Sequence, residues 1–257
     1  MKIRDIQAKS ILSKTGIYGV DYVINPYLGC SHGCGYCYAD FMKRFHKGSG
    51  EWGSFVSAKV NAPEVLKREL EKIGSKKTRI MISSVCDPYQ EIEKRYGLTR
   101  KCLEQLLTAD KVKHLDISIL TKSPLVLRDV DLLKKFRSIE VGMTITTDDD
   151  KVRKLFEPCA PSIDSRIDAL KKMHGTGLHT YAFIGPILPM NAASLAEMLS
   201  GIVEYAFIDR MNYSWKTEKF YMEHKLEYAL NDSFFEEKRK ELVESFRKLK
   251  IPTKVLF

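Results

Sequence analysis

The stretch NPYLGCSHGCGYCYAD, residues 25–40, contains three of the six cysteines of this chain. Cys30, Cys34 and Cys37 are spaced as C-x3-C-x2-C, with glycines between them. Because glycine adopts a positive φ at little cost, these glycines allow a short loop to direct three thiolates at one centre. Thiolates favour zinc, copper(I) and the iron of iron–sulfur clusters. The stretch therefore predicts a metal site.

The number of cysteines narrows the kind of metal site. A structural zinc usually takes four ligands from paired C-x2-C units, and this chain has no second pair. The remaining cysteines are isolated at Cys86, Cys102 and Cys159. An iron–sulfur cluster is usually held by four cysteines. The simplest interpretation is a cluster with three protein ligands and one open, reactive iron; a degenerate zinc loop or a surface cysteine cluster is the alternative.

Composition indicates a globular cytoplasmic protein. The chain has 257 residues, of which 44% are hydrophobic and 29% charged, enough for one large core or two small domains. No apolar run approaches the roughly 20 residues of a membrane span, and the N-terminus has no secretory h-region. We therefore expect no membrane partner, and in a reducing cytosol we expect no disulfides. The net charge of +9 fits a polyanionic partner such as DNA or RNA.

Strands and helices alternate along the chain, which predicts an α/β fold with a parallel sheet covered by helices. Right-handed crossovers leave an open doubly wound sheet or a barrel, and six units are fewer than the eight of a closed one. The predicted strands are 21–25, 79–84, 114–121, 140–147, 180–188 and 205–211. The predicted helices are 62–73, 99–109, 127–136, 162–177, 194–203 and 233–250. Ligands of such folds bind at the carboxyl ends of the strands, where the cysteine loop also lies.

The spacing Cys30-x3-Cys34-x2-Cys37, followed by Tyr38, resembles the signature of the radical S-adenosylmethionine (radical SAM) enzymes. The resemblance implies that the three cysteines hold a [4Fe–4S] cluster whose fourth iron is chelated by SAM. It also implies one-electron cleavage of SAM to methionine and a 5′-deoxyadenosyl radical, which abstracts hydrogen from a substrate. The implied fold, a partial (β/α)6 barrel, agrees with the six units counted above. An electron donor such as flavodoxin or ferredoxin is expected.

Longer segments are similar to one branch of that family, the DNA repair photolyase-like branch related to spore photoproduct lyase. They include VNAPEVLKREL, DPYQEIE, LTKSPLVLRDVDLL and EPCAPSIDSRIDAL, and the resemblance covers roughly residues 9–210. We expect an N-terminal extension over 1–20, the partial barrel over 21–211, and a C-terminal segment over 212–257 whose long helix packs on the barrel. Spore photoproduct lyase reverses a crosslinked thymine dimer in DNA.

The resemblance also implies a set of cofactor contacts, each of which has a simpler structural explanation. Asp87 precedes a proline and suits a turn, Lys122 suits solvent, Thr144 suits a strand and Tyr38 suits a core. Residues 148–150, three aspartates, are better explained as a helix N-terminus. The implied SAM contacts are Tyr36 and Tyr38 near the adenine, Ser84 and Asp87 at the methionine or ribose, Lys122 at the carboxylate, Thr144 at the ribose or carboxylate, and Gly185 and Pro186 at the adenine.

Cys86 is a candidate catalytic residue. Spore photoproduct lyase uses a cysteine in this region to return a hydrogen atom to its product. Here Cys86 directly precedes Asp87, about one position from the expected register. Three roles stay open: hydrogen donor, small filler residue, or part of the SAM pocket.

Three functions compete at this point. The first is a radical SAM enzyme acting on a pyrimidine-dimer lesion or other nucleic acid, for which the basic and aromatic segments 41–53 and 210–225 are suited. The second is a radical SAM enzyme for a peptide, a tRNA base or a small metabolite. The third is a non-enzymatic iron–sulfur sensor that binds nucleic acid.

Overall fold

The computed structural model describes residues 1–45, 50–74, 76–109 and 112–257, and the chain divides into two compact units. Unit 1 comprises residues 1–33 and 39–141, and unit 2 comprises residues 34–38 and 142–257. The strands of the described residues are β1 (Lys2–Ile6), β2 (Leu12–Lys14), β3 (Tyr22–Ile24), β4 (Tyr27–Leu28), β5 (Phe55–Lys59), β6 (Thr78–Ile82), β7 (Leu115–Thr121), β8 (Ile139–Thr144), β9 (His179–Ile184), β10 (Tyr205–Ile208) and β11 (Thr253–Val255).

The α-helices of the same ranges alternate with most of the strands along the chain. They are α1 (Ala62–Leu70), α2 (Glu93–Tyr96), α3 (Leu98–Thr108), α4 (Val130–Leu133), α5 (Asp150–Phe156), α6 (Ile163–Gly175), α7 (Ala192–Leu199), α8 (Glu218–Glu223) and α9 (Asp232–Lys248). In the ranges that the structure describes, no helix has the length and apolarity of a membrane span.

Unit 1 contains a sheet in which the strand order is β2-β3-β6-β7. Strands β3, β6 and β7 run parallel, whereas β2 is an antiparallel edge strand. One face of the central strands is apolar and buried: Ile80, Ile82 and Ile119 lie on this face and are fully buried. Because β3 ends at Ile24, the cysteine loop begins just beyond the carboxyl end of a parallel strand.

A second, three-stranded sheet of unit 1 has the order β1-β5-β4. Strand β4 lies just before the first cysteine of the loop, Cys30, and pairs antiparallel with β5. Tyr27, Val56 and Ala58 from these strands form a buried cluster with Ile92 and Leu98. This sheet was not predicted: β4 has only two residues, and β1 is mostly exposed and charged.

Unit 2 contains strands in the order β8-β9-β10-β11, with β8 beginning in unit 1. Strands β9, β10 and β11 pair in parallel. The Tyr181 ring stacks on Tyr205 at 5.2 Å between centroids. A Cβ on Gly142 of β8 would lie 2.2 Å from the Tyr181 ring, so only glycine allows this close packing.

The predicted α/β fold with parallel strands is confirmed, and each predicted strand is present with shifted ends. The predicted helix 127–136 is a 3₁₀ turn at Pro124–Asp129 followed by the short α4. The aspartates at 148–150 do begin a helix: the Asp149 side chain accepts a hydrogen bond from the Lys151 N–H and caps α5. The predicted domain boundaries at 20 and 211 stay predictions.

Candidate active site

The cysteine loop contains the thiols of Cys30, Cys34 and Cys37. Cys30 and Cys34 are buried and Cys37 is half-buried. Cys30 belongs to unit 1, and Cys34 and Cys37 belong to unit 2. Within the described residues, no three His, Cys, Asp or Glu side chains are grouped as ligands of a single metal ion. An iron–sulfur cluster takes its cysteines on different irons, so this arrangement does not disfavour it.

Ser31, the residue after Cys30, carries a polar atom that the described residues do not satisfy. Its hydroxyl oxygen is buried and has no hydrogen-bond partner among them. Buried polar groups nearly always have a partner, so an orphaned one calls for an explanation such as a bound group. Three thiols, with an unpaired hydroxyl beside one of them, fit the donor set of an iron–sulfur cluster.

Glycine is required where the loop turns in unit 1. Gly29 has a φ of 89°, and a Cβ at this position would lie 2.5 Å from the Phe55 carbonyl oxygen. A Cβ on Gly53 would lie 2.7 Å from the Gly33 Cα. The backbone at the start of the cysteine loop therefore packs directly on the backbone that flanks β5.

Replacing Gly29 by alanine should lower the free energy of unfolding by about 2 kcal/mol, because the new Cβ meets a backbone oxygen and the positive φ becomes strained. Urea denaturation would measure this. Gly16→Ala is the matched control, since a Cβ at Gly16 meets nothing within 4 Å. Equal denaturation midpoints for the two variants would contradict the close approach seen here.

Gln90 holds the loop on both sides of Cys30. Its side-chain carbonyl accepts a hydrogen bond from the Ser31 N–H at 2.8 Å, and its amide nitrogen donates to the Gly29 carbonyl at 3.2 Å. Gln90 itself is fully buried. The two partners are the residues immediately before and after Cys30.

Asp87 joins the carboxyl ends of β6 and β7. Its carboxylate accepts hydrogen bonds from the Thr121 hydroxyl at 2.6 Å, the Lys122 N–H at 2.7 Å and the Tyr89 N–H at 2.8 Å. His32 Nδ1 lies 3.6 Å from the same carboxylate. Asp87 therefore fixes the backbone from which the half-buried Lys122 extends. Its contact with SAM stays a prediction.

Ser84 and Cys86 lie in the same loop after β6. Asn25 accepts hydrogen bonds from the Ser84 and Val85 N–H groups and donates to the Ser84 hydroxyl at 3.4 Å. Cys86 Sγ lies 3.7 Å from the Tyr27 carbonyl oxygen. Burial raises the pKa of the Cys86 thiol to about 12. Cys86 therefore carries its hydrogen at neutral pH, as a hydrogen-atom donor must, although its role stays a prediction.

This raised pKa predicts slow alkylation of Cys86. At pH 8 its thiolate fraction is about 10³-fold below that of an ordinary thiol, partly offset by the greater nucleophilicity of a more basic thiolate, so iodoacetamide should react about 10²-fold more slowly. The rate should rise about tenfold per pH unit below the pKa. Peptide mass spectrometry would follow Cys86 against the exposed Cys159. Equal rates at pH 8 would contradict the prediction.

The second half of the cysteine loop is anchored within unit 2. The Cys37 N–H donates to the Cys34 carbonyl at 3.1 Å, and the Gly35 N–H donates to the Phe156 carbonyl at 2.9 Å. The Tyr36 hydroxyl donates to the Glu157 carboxylate. Burial, followed by the nearby carboxylate, raises the pKa of Tyr36 well above its ordinary value. The predicted adenine contact Tyr36 thus has its hydroxyl directed at a buried acid.

Glu157 and Arg166 form a fully buried ion pair beside this loop. Arg166 also donates to the Pro161 carbonyl at 2.9 Å and to the Thr144 carbonyl at 3.1 Å. The Thr146 hydroxyl donates to Glu157 at 3.0 Å. The pair therefore connects Tyr36 to the carboxyl end of β8, where the predicted cofactor contact Thr144 lies.

The remaining predicted contacts of unit 2 are Tyr38, Gly185 and Pro186. Tyr38 has 42% of its surface exposed, so it is not a core residue. Gly185 and Pro186 follow β9, and a Cβ on Gly185 would lie 3.1 Å from the Cβ of Asp209 after β10. Burial raises the pKa of Asp209, which marks it as a further candidate at these strand ends.

Sequence reasoning assigned no role to Gln90, Glu157, Arg166 or Asp209. The first three act through contacts with partners 9 to 121 residues away in the chain, which no local pattern reveals. The sequence signal that could have pointed to Gln90, Glu157 and Arg166 is that they lie in the motifs DPYQEIE and EPCAPSIDSRIDAL.

The sequence of this chain matches a known family model and several known proteins. The family model described as Radical SAM superfamily matches residues 24–201. An uncharacterized protein of Methanocaldococcus jannaschii is 46% identical over 189 residues, which is 74% of this chain and 69% of that protein. The radical SAM Nalpha-GlyT isomerase of Pseudomonas phage M6 is 27% identical over 64% of this chain, but the match spans only 32% of the phage enzyme.

Solved structures share the fold. A spore photoproduct lyase variant with bound AdoMet and dinucleoside spore photoproduct superposes with a TM-score of 0.73 at 16% identity, over 99% of this chain and 82% of that one. Streptococcus suis SuiB bound to the precursor peptide SuiA gives a TM-score of 0.58 at 15% identity, over 91% of this chain and 48% of that one.

Proposed function

The chain belongs to the radical SAM superfamily, and from this we propose that Cys30, Cys34 and Cys37 hold a [4Fe–4S] cluster with one iron left for SAM. Bound together, cluster and SAM supply a 5′-deoxyadenosyl radical that abstracts a hydrogen atom from a substrate. The observation that carries the proposal is the loop of three cysteines spaced as C-x3-C-x2-C inside the matched segment. Family membership favours an enzyme over a non-enzymatic sensor.

The residues around the cofactor have distinct tasks in this proposal. The Lys122 ammonium neutralises the SAM carboxylate, and Asp87 fixes the Lys122 backbone through a 2.7 Å hydrogen bond. Ser84 and Thr144 supply hydroxyl groups for the ribose or the amino acid part of SAM. The exposed Tyr38 ring packs against the adenine. Gly185, which has no side chain, and Pro186 let the backbone approach the adenine.

We propose a nucleic acid as the substrate, with a pyrimidine-dimer lesion as the first candidate. The net charge of +9 favours a polyanion. Unit 2 exposes Tyr213 and Trp215, and the Lys216 ammonium lies 5.3 and 5.5 Å from their ring centroids. Exposed aromatic rings beside cations are typical of surfaces on which bases stack.

Unit 1 has a comparable surface. The Arg44 guanidinium lies 5.1 Å from the Phe41 ring centroid and 4.9 Å from that of Phe45, and both rings are exposed. Residues 46–49 of this predicted segment, 41–53, lie outside the described residues. The spore photoproduct bound by one structural neighbour is a dinucleoside, which supports the same substrate class.

The test is an anaerobic reconstitution with iron and sulfide, followed by an iron count and EPR spectra with and without SAM. We expect about four irons per chain, a signal that SAM shifts, and 5′-deoxyadenosine formation that rises with ultraviolet-damaged oligonucleotides over undamaged ones. Trp215→Ala should weaken oligonucleotide binding, whereas Tyr18→Ala, at another exposed aromatic residue, should not. Zinc without iron would overturn the proposed function.

A peptide substrate is the second candidate, because the structural neighbour SuiB binds its precursor peptide. A signal that SAM shifts, with 5′-deoxyadenosine formation indifferent to every oligonucleotide, would favour it. The electron donor, flavodoxin or ferredoxin, would be compared in the same assay.

A further inference from the structure

The loop after β6 places one fully buried side chain, Gln90, against the backbone around Cys30. A primary amide has a donor and an acceptor on the same planar group. Gln90 uses the acceptor for the Ser31 N–H at 2.8 Å and the donor for the Gly29 carbonyl at 3.2 Å. Both peptide groups that flank Cys30 are therefore bonded to a single side chain.

The conformation of the backbone before Cys30 explains why its peptide groups need the two hydrogen bonds from Gln90. Gly29 has a φ of 89°, so the chain reverses just before Cys30 and its peptide groups are not paired as they would be in a strand. A buried peptide group without a partner is strongly disfavoured. Gln90 satisfies one backbone donor, the Ser31 N–H, and one backbone acceptor, the Gly29 carbonyl.

We propose that Gln90 is a positioning residue that fixes the direction of the Cys30 thiolate, and that it thereby sets the stability and reduction potential of the cluster. Such effects are expected because the groups that orient metal ligands usually matter for affinity by 10- to 100-fold. Hydrogen bonding and solvent exposure around the sulfurs also tune cluster potential. The inference rests on the proposed function, since it concerns a ligand of the proposed cluster.

Substitutions at Gln90 can be compared with control substitutions at two other residues. Gln90→Met keeps the length of the side chain and removes both hydrogen bonds. Gln90→Asn keeps the amide group but shortens the side chain by one methylene, so it should weaken both hydrogen bonds and be intermediate. Glu91→Gln changes the next residue, whose side chain is 69% exposed and pairs with Lys94. Leu106→Ala opens the core of α3, where Leu106 is fully buried, and lowers stability without touching the loop.

The first measurement is made on the protein without cluster. Hydrogen exchange should be faster at the Ser31 amide in Gln90→Met than in wild type, with Glu91→Gln unchanged. The second is made after reconstitution: Gln90→Met should release iron to a chelator at least about tenfold faster and should titrate at a different midpoint potential by EPR. Leu106→Ala should lower the melting temperature but leave the potential unchanged.

The outcomes separate this inference from the proposed function. A folded Gln90→Met chain with wild-type exchange at Ser31, wild-type iron release and wild-type potential would overturn the inference while leaving the cluster intact. If Leu106→Ala shifted the midpoint potential of the cluster as much as Gln90→Met does, general destabilisation would explain the effect. That result would also overturn the inference. If Gln90→Met does not fold, Gln90→Asn supplies the same comparison. A wild-type chain that assembles no cluster would overturn the proposed function and this inference together.

Discussion

A chain with Cys34→Ala is expected to lose its iron–sulfur cluster and all reductive cleavage of SAM. A cluster held by only three protein thiolates has no spare ligand, because one iron must stay open for SAM. Cys34 is buried, so solvent or a surface side chain is poorly placed to replace its thiolate. The same result is expected for Cys30→Ala and Cys37→Ala.

Iron content, the cluster EPR signal and 5′-deoxyadenosine formation would be measured together after anaerobic reconstitution. We expect iron to fall from about four per chain to a residual level in each loop variant. Cys159→Ala is the matched control, because Cys159 is an exposed cysteine outside the loop, and it should keep wild-type iron. Full iron and SAM cleavage in any loop variant would refute the assignment of that cysteine as a ligand.

Arg166→Met should lower the free energy of unfolding by about 3–5 kcal/mol, the usual cost of leaving one charge of a buried ion pair without its partner. Both Arg166 and Glu157 are fully buried. Without the guanidinium, the Glu157 carboxylate loses its buried counter-charge while it still accepts hydrogen bonds from the Tyr36 and Thr146 hydroxyls. The carbonyl oxygens of Pro161 and Thr144 also lose a donor.

Urea denaturation and thermal melting would measure this loss, with a fall in melting temperature of at least about 6 °C. Arg247→Ala is the control, since Arg247 pairs with Glu244 on the surface, and exposed pairs contribute at most about 1 kcal/mol. The double variant Arg166→Met/Glu157→Gln should cost less than the sum of its single variants, because no unpaired charge is left. A cost below about 1 kcal/mol for Arg166→Met would show that the pair is not needed for stability.

The ion pair also links stability to the cysteine loop. Tyr36 lies between Cys34 and Cys37 and donates to Glu157, so loss of Arg166 changes the partner of a loop residue. The buried pair therefore holds the loop as well as the carboxyl end of β8. Neither charge was singled out in the sequence, since buried charges carry no periodic pattern.

The sequence by itself determined the α/β fold, its parallel strands and the three cysteines of the loop. These are local signals: apolar strands such as 79–84 alternate with amphipathic helices such as 162–177, and the C-x3-C-x2-C spacing lies within eight residues. Hydrophobic periodicity and short motifs encode them directly. The pairing of β4 with β5 escaped this reasoning, because the two residues of β4 carry too little pattern to show a strand.

Only the tertiary structure decided how the loop is held. Gln90 reaches the residues beside Cys30 from 59 and 61 positions away in the chain, and Glu157 reaches Tyr36 from 121 positions away. Such contacts depend on which strand ends the fold brings together, and a polar residue in the sequence gives no sign of whether it will be buried. The chemistry of the site follows from its cysteines, whereas its rigidity follows from buried polar groups that become partners only once the chain has folded.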